Sequence, residues 1–278
     1  MNKKIAIIVL ILIVGSALAF LYLKMKTTSV SRKTTSGNNT VFLSDSELAS
    51  RLDQINSLES KGDLLAARDL CRQLLSSSLS SENWASVQKR LENLNMKIVV
   101  SNIPVKQSEI YEVQIGDSLT KIAKKFNTTI ELIKKSNNLT SDVIRPGKKL
   151  RVWTVPFTIL VDKSQNILTL KAEEEIIKTY IVSTGINNST PIGEYTIVSK
   201  LVNPTWYKDG KEIPSSSPEN ILGSRWMGFN LEGYGIHGTT QPEDIGKQIT
   251  QGCVRMRNED IEELFDLIPI GTKVTIID

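Results

Sequence analysis

The chain has 278 residues, of which 40% are apolar, and a formal net charge of +4. This length indicates about two domains with cores of their own, and the composition excludes a chain that is disordered throughout. The sequence has no zinc-finger pattern, helix-turn-helix signature or long basic run, so we expect no nucleic-acid partner.

The N-terminus predicts a membrane segment. Nineteen uncharged and mostly apolar residues, Ile5 to Leu23, are flanked by lysines on both sides, and a helix of that length spans a bilayer. A cleaved signal peptide is the alternative, because Ala17-Leu18-Ala19 has the form of a cleavage site. The apolar run continues beyond that site, which favours an uncleaved anchor over residues 1–26. Either way we expect the rest of the chain in the cell envelope, on the exported face of the cytoplasmic membrane.

Two further segments precede the middle of the chain. Residues 27–43 are rich in Ser, Thr, Asn and Lys, which predicts a flexible linker. Residues 44–100 have apolar side chains at three- and four-residue spacing, which predicts helices over Asp45–Ser60, Asp63–Ser76 and Glu82–Ile98. Part of this region is similar to one helix of a tetratricopeptide repeat, but no second copy follows. The pattern therefore favours a small helical spacer over a partner-binding repeat array, and it does not identify any protein partner of this spacer.

Cys71 falls on an apolar helix face and is expected in the core.

A compact module follows over residues 106–153. Its pattern is strand, helix, helix and strand, with Ser118 as the predicted cap of the first helix. This βααβ order and the stretches "GDSLTKIAKKF" and "IRPGKKLRV" resemble the LysM module. The resemblance implies binding to the N-acetylglucosamine-containing strands of peptidoglycan and chitin through two loops. The residues so implied are Gly116, Asp117, Ser118, Leu119, Thr120, Ile144, Arg145, Pro146 and Gly147. A basic module without a ligand is the alternative.

The last part of the chain, from Phe157 onward, consists of short alternating apolar runs separated by Gly, Pro and Asn. Such runs predict a mostly β domain. One helix is predicted over Asn258–Ile268, with Asn258 as its cap.

His237 is the only histidine, and it lies sixteen positions before Cys253, one of two cysteines. A thiol attacks a carbonyl as the thiolate, and a neighbouring imidazole can take its proton and return it to a leaving amine. Gly252 would allow a tight turn and could offer its amide to an oxyanion. The alternative from these residues alone is a buried cysteine and a hydrogen-bonded loop histidine. One histidine and two cysteines do not supply paired ligand spacing, so we expect no metal or cofactor.

The surrounding stretches "YGIHGTTQPEDIGKQITQGCVRM", "STPIGEYTI", "NPTWY" and "NILGSRWMGF" resemble the L,D-transpeptidase catalytic family over residues 155–278. The resemblance implies a β-sandwich with the nucleophile in a groove. It assigns Cys253 as the nucleophile and His237 as the base, held by the carbonyl of Gly238, with Gly252 in the turn before the nucleophile. Arg255, Thr250 and Tyr234 would contact the substrate. Gln251 stands where many members have a second histidine, which leaves that position's role open.

The fold class expected is therefore multidomain: a membrane helix, a helical spacer, a LysM module and a mostly β catalytic domain. The function implied is a peptidoglycan L,D-transpeptidase that joins stem peptides through their third residues, with glycan strands and stem peptides as partners. A catalytically silent peptidoglycan-binding protein is the alternative of a different class. Within the enzyme class, the acceptor could instead be water, giving an L,D-carboxypeptidase, or a lipoprotein lysine.

Overall fold

The computed structural model describes residues 43–278. The membrane helix predicted over residues 1–26, and the linker predicted over 27–43 apart from Leu43, lie outside the described residues. From residue 43 onward, no helix is both long and apolar enough to cross a bilayer. The chain divides into two compact units, one ending at Arg90 and the other covering Leu91–Asp278.

The described part of the first unit is helical. The helices are α1 (Asp45–Ser60), α2 (Leu64–Leu75) and α3 (Ser81–Val99), the last of which continues into the second unit. A capping box begins α1, because the Ser44 side chain accepts the Glu47 amide and the Glu47 carboxylate accepts the Ser44 amide. The three predicted helices are thus confirmed to within about two residues at each end.

Cys71 lies on the buried face of α2 together with Ala67 and Leu74. Its side chain is fully buried, and this burial raises the pKa of the thiol to about 11. The prediction that Cys71 is a core residue is confirmed, and the thiol is protonated at neutral pH.

The LysM module has the predicted βααβ order. It consists of β1 (Ser108–Glu112), α4 (Leu119–Phe126), α5 (Ile130–Ser136) and β2 (Lys149–Trp153). The two strands pair in antiparallel fashion. Ser118 caps α4 by accepting the amide of Lys121 at 3.2 Å, as predicted. The module has a core of its own, formed by Val113, Leu119, Ile122, Ala123, Ile133, Leu150 and Val152.

The C-terminal part is a mostly β domain, as expected. Its strands are β3 (Phe157–Asp162), β4 (Ile167–Ala172), β5 (Glu175–Ile181), β6 (Thr184–Gly185), β7 (Gly193–Val202), β8 (Trp206–Lys208), β9 (Lys211–Ile213), β10 (Arg225–Phe229), β11 (Gly235–His237), β12 (Gln248–Thr250), β13 (Val254–Arg255) and β14 (Lys273–Ile277). Eight of them form one sheet in the order β13-β11-β10-β7-β14-β3-β4-β5. The pairs β6–β12 and β8–β9 form small separate sheets.

The long strand β7 joins the two halves of the large sheet. Residues 193–196 pair with β14, and residues 197–202 pair with β10. Both halves therefore share β7, and the domain has the mostly β fold that the resemblance implied.

The helix of this domain is α6 (Asn258–Leu267), which buries Ile261, Leu264 and Leu267. The prediction that Asn258 caps this helix is wrong. Arg257 occupies the cap position without a side-chain cap bond, and Asn258 is the first helical residue. Its side chain is used by two loops of the active site instead.

Candidate active site

Strand pairing brings the two candidate catalytic residues together. β11 and β13 lie side by side in parallel, with His237 opposite Arg255 and Ile236 opposite Val254. Cys253 directly precedes β13, so it lies beside the start of β11. His237, Cys253 and Arg255 all line one groove of about 1150 Å³. The sixteen-residue separation in sequence is thus closed by a single pair of short strands.

His237 is held in one tautomer. Its side chain is buried, and Nδ1 lies 2.7 Å from the carbonyl oxygen of Gly238. Because a carbonyl oxygen only accepts hydrogen bonds, Nδ1 must carry the proton, which leaves the lone pair on Nε2. The ring also stacks on Trp226, with 5.9 Å between the ring centroids. These two contacts therefore fix the orientation of the imidazole ring.

Burial and, to a smaller extent, the positive charge of Arg255 lower the pKa of His237 to about 4, although hydrogen bonds to the backbone of Gly238 and Leu222 oppose this shift. The imidazole is neutral at physiological pH. A neutral imidazole is the form that can accept a proton from a thiol.

Cys253 is a half-buried free thiol in the groove. Burial raises its pKa above the ordinary range, and the Gly235 backbone and the Arg255 charge offset only part of this effect. The Sγ atom lies 3.5 Å from the carbonyl oxygen of Gly233, to which it donates. Burial thus favours the neutral form of both the thiol and the imidazole.

The turn before Cys253 is fixed by Thr250 and Gly252. The Thr250 hydroxyl donates to the Cys253 carbonyl at 2.6 Å and accepts the Gly252 amide at 3.2 Å. Gly252 has a φ of +126°, and a Cβ there would lie 2.7 Å from Cε1 of Tyr234. The turn therefore needs glycine, as expected. The Gly252 amide, which we expected to be available to an oxyanion, is already bonded to Thr250.

Arg255 brings a positive charge to the groove. Its side chain is buried, and Nη1 reaches the neutral amide oxygen of Gln241 at 3.4 Å. The Nε atom has no hydrogen-bond partner among residues 43–278. Burial lowers the pKa of the guanidinium, but a guanidinium stays charged at neutral pH. An incompletely bonded cation of this kind favours an anionic substrate group.

The groove extends from Cys253 to the β8–β9 hairpin, which carries Trp206 and the largely exposed Tyr207. The Asn220 side chain holds this region, because its Nδ2 donates to the carbonyls of Pro204 and Ile213 at 3.0 Å each. Tyr234, Thr250 and Gln251 line the same groove. The hairpin thus forms a wall of the groove on which a substrate chain can lie.

Asn258 is a residue whose part in the site the sequence did not reveal. Its Oδ1 accepts the amides of Ser224 at 3.1 Å and Thr239 at 3.0 Å, and its Nδ2 donates to the Thr239 carbonyl at 2.9 Å. A Cβ on Gly238 would lie only 2.2 Å from Oδ1. Asn258 therefore positions the backbone that holds His237. The sequence does not reveal this role, because Asn258 and His237 lie far apart along the chain.

The residues implied for glycan binding lie in the LysM module and not in the groove. Its two loops are adjacent, because the Gly147 amide donates to the Val113 carbonyl at 2.8 Å. Gly116 and Gly147 have φ values of +85° and +82°. The exposed residues of the set are Gly116, Thr120, Arg145, Pro146 and Gly147, while Asp117, Ser118 and Ile144 are half-buried.

Asp117 and Leu119 have further contacts within the module. Asp117 accepts the Gln114 amide and the Tyr111 hydroxyl at 2.8 Å each, and these bonds lower the pKa of its carboxyl. Leu119 is buried in the module's core. Its side chain is therefore not available to a ligand, and only its backbone could take part.

Comparison with known proteins identifies two modules. Residues 156–276 match the family model described as the YkuD L,D-transpeptidase catalytic domain, and residues 111–153 match the LysM domain. YkuD of Bacillus subtilis is 32% identical over 173 residues, which cover 60% of this chain and 97% of that protein. YkuD of Bacillus licheniformis is 33% identical over 175 residues, which cover 60% of this chain and 98% of that protein. YqjB of B. subtilis is 40% identical over 126 residues, which cover 43% of this chain and 70% of that protein. All three carry L,D-transpeptidase names.

The low pKa of the buried imidazole can be measured directly, because His237 is the only histidine. In protein without a histidine tag, we expect its ring signals in an NMR pH titration to report a pKa near 4. Replacing Arg255 by Gln removes a positive charge and should raise that pKa. A wild-type value at or above the ordinary 6.5 would contradict the neutral buried ring.

The positioning role of Asn258 predicts a loss of rate. Asn258→Ala should slow acylation of Cys253 by a carbapenem by between about 10- and 100-fold, because small displacements of a catalytic group are costly. The His237 ¹⁵N shifts should also show loss of the single Nδ1–H tautomer. Asn137→Ala is the matched control, since Asn137 makes similar bonds to the Arg151 backbone within the LysM module. An equal effect of both variants would make the role of Asn258 merely structural.

Proposed function

The chain belongs to the L,D-transpeptidase family, and from that membership we propose that Cys253 is the nucleophile and His237 the base of a peptidoglycan L,D-transpeptidase. The observation that carries this assignment is the pairing of β11 with β13, which brings a tautomer-fixed imidazole and a free thiol into one groove. The LysM module binds peptidoglycan. The alternative of a catalytically silent binding protein does not account for a tautomer-fixed histidine and a free thiol in the same groove.

The first half-reaction acylates the enzyme. The Sγ of Cys253 forms a bond to the carbonyl carbon of the third residue of a donor stem peptide, while its proton moves to Nε2 of His237. When the tetrahedral intermediate collapses, the carbon–nitrogen bond to the terminal D-amino acid breaks. His237 returns the proton to the leaving amine, and a thioester remains.

The second half-reaction transfers the acyl group. A side-chain amine of a neighbouring stem peptide attacks the thioester carbon and gives a proton to His237. The carbon–sulfur bond then breaks, and the proton passes to Sγ, which restores the thiol. The product is a cross-link between third residues. Water in place of the amine would give an L,D-carboxypeptidase, and a lipoprotein lysine would give an attachment enzyme.

Arg255, Thr250 and Tyr234 have different parts in this proposal. The incompletely bonded guanidinium of Arg255 supports a role in holding an anionic group of the donor. The hydroxyl of Thr250 is used within the turn, so Thr250 acts by shaping the turn. Tyr234 packs against Gly252 and lines the groove where the donor chain would lie.

The LysM module and the catalytic domain locate the chain in the cell envelope or wall. We propose that residues 1–26 anchor it to the membrane, which rests on the apolar run from Ile5 to Leu23. The proposed modules are a linker at 27–43, a helical spacer at 44–100, LysM at 106–153 and the catalytic domain at 155–278. The glycan-binding role of the two LysM loops is part of the same proposal.

Product analysis tests the activity and identifies the acceptor. Purified protein incubated with muropeptides should release the terminal D-amino acid and form cross-linked dimers, detected by liquid chromatography and mass spectrometry. Cys253→Ala should abolish both products, whereas Cys71→Ala should retain both. Shortened monomers without dimers would identify water as the acceptor. Products that do not depend on Cys253 would refute the proposal.

The pH dependence of acylation tests the neutral resting pair. A carbapenem should form one covalent adduct at Cys253, and His237→Ala should slow its formation by about 10²–10⁴-fold. Because the active base is the neutral imidazole, whose pKa is lowered to about 4, the wild-type rate should hold from pH 7 to near pH 5 and fall only as His237 is protonated. Intact-mass kinetics give the rates. A fall centred near pH 6.5 would contradict a buried neutral base.

A further inference from the structure

The LysM module shares its hydrophobic packing with the catalytic domain. Leu132, on α5, is fully buried but belongs to the core of the catalytic domain, together with Ile159, Ile177 and Leu264. The next residue, Ile133, belongs to the core of the LysM module itself. Helix α5 therefore contributes side chains to both cores.

Polar contacts tie the same helix to α6. The Thr129 hydroxyl donates to the carbonyl oxygen of Asp266, and the Thr129 Oγ1 also accepts the Leu132 amide at 3.0 Å. The Lys135 ammonium lies 2.6 Å from the Asp266 carboxylate. The two ends of α5 thus contact one residue near the end of α6.

The other side of the LysM module also packs against neighbouring parts of the chain. Arg151, on β2, is buried, and its Nη1 donates to the carbonyls of Val99 and Ser101 at 2.7 Å each. Trp153 stacks on Phe157 with 5.2 Å between centroids and 3° between planes. Only three residues, 154–156, connect β2 to β3. A connection this short, packed on both sides, leaves no hinge between the module and the domain.

Helix α6 connects this junction to the active site. Asn258, at its start, holds the loops around His237, and Asp266 lies eight residues later, which is about 12 Å along a helix axis. The glycan-binding module is therefore attached to the same helix that positions the catalytic base.

We propose that the LysM module and the catalytic domain recognise their substrate as one rigid body, with a glycan strand on the module and a stem peptide of the same polymer in the groove. The junction residues Leu132 and Lys135 then determine a preference for polymeric over soluble donors. A second contact made by a rigid body at a matching distance raises the effective concentration of the stem at the groove. A flexible tether lowers that concentration. This inference rests on the proposed transpeptidase function.

The test uses three versions of the full chain. The uncoupled variant combines Leu132→Asp with about ten Gly and Ser residues inserted between Thr154 and Val155. The matched control carries the insertion alone, so that the junction contacts remain. A second uncoupled variant combines the insertion with Lys135→Glu and Leu132→Ala, in case the buried aspartate prevents folding. Each is assayed on soluble muropeptides, on insoluble peptidoglycan and for carbapenem acylation.

We expect the uncoupled variant to keep its acylation rate and its turnover of soluble muropeptides within about twofold. The peptidoglycan concentration giving half-maximal rate should rise by at least about tenfold. Insertion alone should leave all three values near those of the wild type. Equal changes on soluble and polymeric donors, or an insertion control that behaves as the uncoupled variant does, would overturn the inference. Failure of the proposed function is distinguishable, because the wild type would then turn over neither donor.

Discussion

The hydrogen bond from Nδ1 of His237 to the Gly238 carbonyl is the contact on which the rest of the active site depends. It selects the tautomer with a lone pair on Nε2, and it needs the Gly238 carbonyl to face the ring. Asn258 secures that backbone by bonding to Ser224 and Thr239. A side chain at Gly238 would collide with the Asn258 oxygen. The glycine after the histidine and the asparagine at the start of α6 are therefore parts of one arrangement.

Burial of this histidine decides how the thiol is activated. Burial lowers the pKa of the imidazole to about 4 and raises the pKa of the thiol. Both shifts disfavour a stable thiolate–imidazolium pair in the free enzyme. In the proposed reaction, the proton therefore moves to His237 as the carbon–sulfur bond forms, and the positive charge of Arg255 favours this transfer because it lowers the pKa of the thiol. The resting thiol is correspondingly less reactive toward other electrophiles.

The sequence predicted those features that depend on local patterns. Helical spacing located α1, α2 and α3, and the βααβ order of the LysM module followed from its turns and apolar faces. The resemblance of the final stretches identified the family. The features it missed depend on distant contacts. Asn258 looked like a helix cap because asparagine favours that position, yet its bonding partners lie 34 and 19 residues away. Leu132 lies in the second helix of the predicted βααβ order, and that order does not show that this helix packs against a second domain.

Helix α6, to which the LysM module is joined, is held by contacts at both of its ends. Asn258 fixes its first turn, and the Lys200 ammonium, from β7, donates to the carbonyls of Phe265 and Ile268 at 2.6 and 2.7 Å. That cation complements the negative end of the helix dipole, although burial lowers its pKa to about 8. Because β7 joins both halves of the sheet, α6 cannot shift without disturbing either the sheet or the His237 loops. The LysM module is thus attached to a helix of the catalytic domain that is held at both of its ends, by Asn258 at its start and by Lys200 at its end.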